Sequence, residues 1–540
     1  MRNRKAGGGE WGVGRRERYA PAARSLYIKP GPKGRSFPNP LPPVPYSQIF
    51  FFLLLALSLS SCMVGPNYKR ASAPVPPAYK EQPPPGYKEA QAQGWKPGQP
   101  ADGRLKGKWW EIYNDPDLNA LEEAVTVNNQ NVLQAEAQYK EARDAVRIAR
   151  AALFPTVAVA PTITESRSPG GFTSAGGLGG ASTTSNLRTV YNFPADVSWT
   201  VDLWGAVRRN IAAAAATAQA SDANLENLRL LYQSDLAVDW FELHGLDGDI
   251  DLLKRTVASY QEYLQLTRNR FAGGVASDLD VAQAEAQLYA AQTTLTDFGV
   301  GRAQFEHAIA VLTGRPPAAV TVTNKLLTTP PPPVPIAVPS ELLERRPDIA
   351  INERQMAAAN EQIGIAKAAY YPSLTLSAAA GFQSSRITTW ISWPNRFFSV
   401  GPALAETVFD AGRRRAVMAQ TVNAYDATIA AYRQTVLTAF QQVEDQLAAL
   451  RVLADESNVV EDSVKSAERA LTLSTAQYRA GTTSYLTVIT AQATALEAER
   501  TQVDLLTRRL TSSVLLVQAL GGGWDSTQLP SAKDVATGTQ

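Results

Sequence analysis

A chain of 540 residues with 19% charged and 45% hydrophobic residues can hold several domains and is not disordered in bulk. Its net charge of +2 hides an asymmetry, because residues 1–61 carry ten Lys/Arg and two Glu, or +8, which leaves −6 for the rest. A mildly acidic body argues against nucleic acid as a partner, and a single cysteine, Cys62, excludes an intrachain disulfide and a thiolate metal cluster.

Ile49 to Leu59 is the one strongly apolar run. It is too short to span a bilayer as a helix, which takes about 20 residues. With the basic stretch before it, the run fits a signal-peptide core. Leu59-Ser60-Ser61-Cys62 follows directly and is similar to a bacterial lipobox, which implies a lipidated Cys62 after cleavage. Met63 in place of Asp then implies sorting to the outer membrane. The competing reading is a buried cysteine after a short apolar helix. Residues 1–46 are longer than a normal basic leader and fit a start codon assigned too early, so 1–61 is taken as signal peptide plus extension.

Residues 62–117 are expected to form a lipid-anchored, extended tether, rich in Pro, Tyr and Lys from Pro66 to Pro100. Asp115-Pro116 suits a helix cap and first turn, and a helical pattern runs from about Leu118 to Ala152. The period then becomes two. Phe193, Ala195, Val197, Trp199, Val201 and Leu203 alternate with Asp196, Ser198, Thr200 and Asp202, and the preceding strand alternates through Val157, Val159 and Ile163. A helical pattern follows from about Ala206 to Arg268. Leu243, Leu246, Ile250, Leu253, Val257, Tyr260 and Leu264 form a heptad seam in it. Gly245 and Gly248 are expected to loosen that seam. Leu288, Ala291, Leu295, Phe298, Phe305, Ile309 and Leu312 continue it, with Arg302 as an interruption.

The pattern then repeats. Phe271-Ala272-Gly273-Gly274-Val275 returns in altered form as Tyr478-Arg479-Ala480-Gly481-Thr482, with Gly481 lying 207 positions after Gly274 and Gly521 the same 207 after Gly314. Each copy joins two long helical patterns and reads as the tip of a helical hairpin, with Ser277 or Ser484 capping the returning helix. The first repeat spans 118–314, a Pro-rich connector 315–339, the second repeat 340–521 and a flexible tail 522–540. In the second repeat, strands are expected over Leu374 to Gln383 and about Phe397 to Phe409, separated by a loop with Trp390 and Trp393.

Each repeat is thus helix, two strands, long helix, tip, helix. Amphipathic strands of about ten residues suit a membrane barrel, and lipid tolerates no open sheet edge. One chain offers four strands, fewer than the roughly eight of the smallest closed barrels, so copies must share one: a dimer gives eight and a trimer twelve.

At this point the chain resembles the TolC-like family of bacterial outer membrane efflux proteins, in its lipoprotein branch (the OprM-like, NodT-type outer membrane factors). The residues that carry the resemblance are the lipobox with Gly65-Pro66-Asn67-Tyr68, Trp109-Trp110 with Asp115-Pro116-Asp117-Leu118, Leu343-Glu344-Arg345-Arg346-Pro347-Asp348, Ile363-Gly364 to Tyr371-Pro372-Ser373-Leu374, and both tips. The resemblance implies a mostly α fold with a membrane β-barrel: a homotrimer with an α-helical tunnel through the periplasm and a shared twelve-stranded barrel. It also implies a passive exit duct for drugs or other small compounds, docked at its tips to a periplasmic adaptor (a membrane fusion protein) and an inner-membrane pump of the RND type.

The resemblance places adaptor docking and gating at Gly274, Asp278, Asp280, Gly481, Tyr485, Thr487 and Thr490. Asp280 aligns with an acidic family position, whereas Thr487 and Thr490 stand where relatives have carboxylates. The bland reading of Asp278 and Asp280 is charge that complements a helix N-terminus. Trp390 and Trp393 suit either an interfacial aromatic belt or loop packing, and Arg345-Arg346 a solvated helix start or a salt-bridge element. His244 and His307 lie far apart without ligand partners, so no metal or cofactor is expected. No nucleophile elbow, P-loop or dinucleotide fingerprint is present, which argues against an enzyme. The alternative from another class is a lipid-anchored periplasmic coiled-coil scaffold or adaptor without a pore, to which membrane-length strands would be useless.

Overall fold

The computed structural model of the chain describes residues 63–81, 107–167, 187–334, 342–524 and 526–537. Cys62 with the signal segment, and the 82–106 part of the tether, lie outside the described residues. Residues 63–81 have no regular element and lie along the helices described below. Trp109–Tyr113 forms a 3-10 turn whose Trp109 and Trp110 are buried in the main core, so this end of the expected tether belongs to the packed body.

The expected first helix is two: α1 (Pro116–Asn128) and α2 (Gln130–Ala151). Asn129 divides them. Its backbone turns extended, and its side-chain oxygen accepts from the amides of Asn131 and Val132 at 2.9 and 3.2 Å, which caps α2. Asp115 caps α1 in the same way, with Pro116 in the first turn.

The sheet comprises β1 (Thr156–Val159), β2 (Thr162–Arg167), β3 (Leu187–Val201), β4 (Ser373–Ser384) and β5 (Arg396–Ala405), all antiparallel. β1 and β2 pair with β3 in one unbroken register, Val157 opposite Val197 and Ile163 opposite Tyr191. They are one strand path interrupted at Pro161, which has no N–H to donate. Four paths therefore run in the order β1/β2, β3, β4, β5.

Register sorts the side chains. Val157, Val197, Ala378 and Val400 align across the sheet, and so do Trp199, Leu376 and Pro402, all with the same parity. Ala158, Asp196, Ala379 and Ser399 align on the opposite face. One face is thus apolar from Val157 and Val201 up to Ile163, Phe193 and Phe398, with Glu165, Arg167 and Arg396 on it only at the far end, and much of it is exposed: 68% for Val157 and 81% for Phe398. Among the described residues, β1/β2 and β5 each leave one edge unpaired.

Below the sheet stand α3 (Ala206–Ala272), α4 (Asp278–Leu312), α5 (Pro347–Ala368), α6 (Arg413–Arg479) and α7 (Tyr485–Ala519). α3 and α6 have 67 residues each, about 100 Å at 1.5 Å per residue, and α4 and α7 have 35 each. α3 with α4, and α6 with α7, form the two expected hairpins. Nearer the sheet, α2, α3, α5 and α6 pack side by side in that order. The heptad seam of α3 is buried at Leu243, Ile250, Leu253, Val257, Tyr260 and Leu264. Gly245 does not loosen it. A Cβ there would collide with Thr507 Oγ1, and one at Gly248 would meet Val503 Cγ1 at 3.0 Å, so both glycines admit α7 to close contact.

The repeats end alike. Gly314 and Gly521 have φ of +71° and +93°, and a Cβ on either would strike a backbone carbonyl, that of Asn128 and of Arg345 respectively. Arg346 is a buried salt-bridge element. It pairs with Asp348, donates to Ala519 O at 2.7 Å and to Gln442 Oε1 at 2.8 Å, and so fastens the start of the second repeat to its end. The described residues beyond Gly521 are packed against the body. Trp524 is buried, and Val535 on α8 (Ala532–Thr537) packs against Val146, Ala215 and Ala218.

Gly521→Ala and Gly314→Ala should each cost about 1–2 kcal/mol from the left-handed backbone alone, and more from the carbonyl clash. Gly274→Ala, which faces open space at φ +75°, should cost only the backbone part. Thermal melts of the three variants in detergent test that ranking.

Candidate functional site at the hairpin tips

Both tips are built by the same local chemistry. Gly274 and Gly481 sit at φ +75° and +77°, and the residue after each donates back to the helix it leaves: Val275 N to Arg270 O at 2.9 Å, Thr482 N to Gln477 O at 3.0 Å. These six-to-one bonds are Schellman closures. The returning helices differ. Ser277 and Asp280 form a reciprocal capping box, with Asp280 Oδ2 accepting from Ser277 N and Oγ at 2.9 Å each. Ser484 stands at the equivalent position without a side-chain cap bond.

Each expected tip residue has a definite place. Asp280 is committed to the capping box, while Asp278 is exposed on the first turn of α4. Thr487 and Thr490 are exposed; Thr483 Oγ1 donates to Thr487 Oγ1 at 3.1 Å and Thr490 Oγ1 to Thr487 O at 2.9 Å. Tyr485 is only 2% exposed and belongs to the tip core with Tyr260, Leu264, Leu288, Tyr478 and Val488. Its ring lies 5.3 Å from that of Tyr478. Burial, then the neighbouring tyrosines and Asp280, push the Tyr485 hydroxyl above its ordinary value, so it stays protonated.

Few polar groups tie one hairpin to the other near the tips. Arg270 on α3 donates to the last carbonyls of α6, Tyr478 O at 2.9 Å and Arg479 O at 3.3 Å, and its guanidinium sits 4.7 Å from the Tyr478 ring centre. Cations suit a helix C-terminus, where carbonyls lack partners. Tyr263 and Thr475 hydroxyls meet at 3.1 Å, and those of Thr267 and Tyr478 at 3.4 Å. Sequence reasoning missed Arg270 and Tyr478. Arg270 adjoins the tip motif, but nothing in the spacing pairs it with carbonyls 208 and 209 positions away.

Mid-chain, a buried polar network replaces the seam where Arg302 interrupts it. Arg302 binds Asp247 at 2.7 Å, Glu306 at 2.8 Å and Val322 O at 2.8 Å. Asp247 also meets His244 Nδ1 at 2.9 Å and accepts from the Lys325 amide at 3.2 Å. Lys325 Nζ and Trp240 Nε1 then converge on Asp115 Oδ2 at 2.8 and 3.0 Å. The network fastens the segment after α4 to α3, α4 and the cap of α1. On another part of α3, burial followed by the charges of Asp235 and Glu242 raises Asp239 to about 6.

The fold and tips together define a membrane-sheet protein with long paired helices, and the chain belongs to the outer membrane efflux protein family, whose model matches residues 121–315 and 338–522. Among its relatives is SepC of Pseudomonas putida, described as a probable efflux pump outer membrane protein: 28% identical over 477 residues, 88% of this chain and 97% of the relative. Outer membrane protein OprJ of Pseudomonas aeruginosa is 30% identical over 475 residues, 88% of this chain and 95% of the relative. Of solved structures, the outer-membrane channel OprN matches with a TM-score of 0.75 at 28% identity, over 86% of this chain and 100% of that one. VceC of Vibrio cholerae matches at 0.69 and 25% identity, over 78% and 100%.

Burial works to raise the Asp247 carboxyl, but bonds from His244, Arg302 and the Lys325 amide outweigh it and hold the group below its ordinary value. A depressed folded pKa adds stability above the unfolded value of about 3.9, and that stability is lost as pH falls through the folded value. Asp247→Asn should therefore cost about 1–3 kcal/mol near neutral pH and flatten the acid limb of the melting profile below about pH 4.

Proposed function

We propose that this chain is the outer-membrane duct of a tripartite efflux system, passing drugs or other small compounds without chemistry of its own. Its energy comes from an inner-membrane pump of the RND type, reached through a periplasmic adaptor at the hairpin tips. The observation that carries this reading is the sheet: its faces are sorted apolar and polar from the helices up to Ile163, Phe193 and Phe398, and its strands continue into hairpins about 100 Å long. A scaffold without a pore has no use for such a face.

The two free edges support closure by further copies. They are different edges, so the contact is head to tail, the kind that makes a ring when the rotation between copies closes. Four paths per chain give twelve in a homotrimer, above the roughly eight a closed barrel needs. α2 and α6, outermost in the helical row, meet by the same rule and line a tunnel. A lipid on Cys62 suits the place of Met63, which packs against Gly205 where β3 passes into α3.

Gating falls at the tips. Asp278 is free to face a cationic cargo or partner, while the Arg270 contacts hold the second hairpin against the first. Opening then requires breaking Arg270 from the α6 carbonyls. Hydrogen bonds to charged groups contribute about 1.5–3 kcal/mol each, small enough for a docking partner to overcome.

Two experiments test the reading. Leu376→Arg puts a charge on the apolar face and should cost about 2–4 kcal/mol at mid-membrane, seen as loss of heat-stable oligomer from outer-membrane fractions; unimpaired assembly would end the barrel assignment. Arg270→Gln should raise single-channel conductance in planar bilayers several-fold and sensitise cells to antibiotics too large for the closed tip. Conductance equal to that of the wild type would remove Arg270 from the gate.

A further inference from the structure

Residues 63–81 carry no regular element, yet the helical wall holds them along their length. At the upper end, Val64 N donates to Trp204 O at 3.1 Å, and Met63 covers Gly205. Arg209 donates through Nε to Val64 O at 2.7 Å and through Nη1 to Pro66 O at 3.1 Å. The same Nη1 pairs with Glu361 at 2.7 Å, and Asn360 adds a bond to Pro66 O at 3.2 Å. Further down, Tyr68 donates to Glu353 at 3.1 Å and Arg70 to the Tyr432 hydroxyl at 3.2 Å. The amides of Lys80 and Glu81 end on the Glu444 carboxylate at 2.7 and 2.8 Å.

The upper contact has the features of a made-to-measure receptor. Arg209 is 1% exposed, although it stands in the first turn of α3, where a cation opposes the helix dipole. Its bonds to the strap answer much of that anomaly, because the Val64 and Pro66 carbonyls and the Glu361 carboxylate supply acceptors for Nε and Nη1, leaving Nη2 alone without a partner among the described residues. Its stem fits only because residue 364 is glycine: a Cβ there would collide with Arg209 Cδ. Gly65 matches from the other side, with φ of +119° and a hypothetical Cβ 2.7 Å from Gly364 Cα. Strap, α3 and α5 thus meet at two glycines and one arginine.

The level of this contact matters. Met63 lies on Gly205, four positions after Val201 ends β3 and with it the apolar face. Met63 is the residue that follows Cys62 in the sequence. We infer that the wall carries a binding site for the chain's own residues 63–66, with Arg209 as its positioning residue, and that this clasp fixes the depth at which a lipid on residue 62 meets the membrane. The clasp stands on the contacts alone; the lipid part rests on the lipoprotein reading above. A clasped anchor holds the tunnel at one height, whereas a loose tether would only keep the protein near the membrane.

The test uses the full mature chain in lipid nanodiscs with Lys69→Cys carrying a nitroxide. Lys69 is exposed, and a lipidated Cys62 has no free thiol. The wild-type wall should give an immobilised spectrum and one label per chain. Arg209→Met, or Gly65→Ala in a strap opposite an intact wall, should shorten the rotational correlation time several-fold and broaden the range of membrane depths read by oxygen accessibility. A mobile wild-type spectrum, or a spectrum unchanged in Gly65→Ala, overturns the clasp, and Gly65→Ala decides the matter if Arg209→Met does not assemble. Two labels per chain with an immobilised strap would sink the lipid anchor and leave the clasp standing.

Discussion

A sheet with an apolar face and two unpaired edges cannot stand alone. Exposed Val, Leu and Phe on the face call for lipid, and lipid offers nothing to the free N–H and C=O groups of the edges. The proposed barrel meets both demands by joining edge to edge. Helix order follows the same logic, since each strand path leads into or out of a helix of the row beneath. Within the chain the tandem repeat already makes one such contact, β3 of the first repeat pairing with β4 of the second.

Stability is not spread evenly down the hairpins. Near the equator, the main core gathers Trp109, Trp110, Trp240, Phe241 and Tyr432, and charged groups bridge three segments around Asp247. Toward the tips the core thins to a tyrosine cluster, and the hairpins are joined by a few hydrogen bonds. Low-stability regions are where proteins move. In the proposed duct the densely packed middle of the hairpins is the fixed part and the tips the part that yields, and Gly245 and Gly248 bring α7 onto α3 between them.

Much of this was legible in the sequence because periodicity is local. The alternation through Phe193 to Val201 and Leu374 to Phe382 gave the right faces, and the offset of Gly274 and Gly481 gave the tips. What escaped was set by tertiary contact. Asn129 reads as one polar residue in a helical run, and only its side-chain bonds reveal a cap. Tyr485 is expected at the tip as a docking and gating position, and only the packing of Tyr478 and Tyr260 shows that it is buried. The tail after Gly521 has the composition of a loose end, but Val535 finds a place between α2 and α3. Arg209 gave no signal at all, because its partners lie 143 to 152 positions away.

The matched lengths of the hairpins have a consequence for how such a protein can change. α3 and α6 share one length, and α4 and α7 share another. One residue inserted in a single helix lowers everything beyond it by about 1.5 Å and turns it by about 100°, which moves the seam off its partner. A tolerated insertion must come in whole heptads, in both arms of a hairpin, and in both repeats if the tips are to stay level. In the proposed duct, tunnel length is therefore a quantised, four-part trait. A lineage that meets a wider periplasm must change it in coordinated steps of about 10 Å, or change the length of the partner instead.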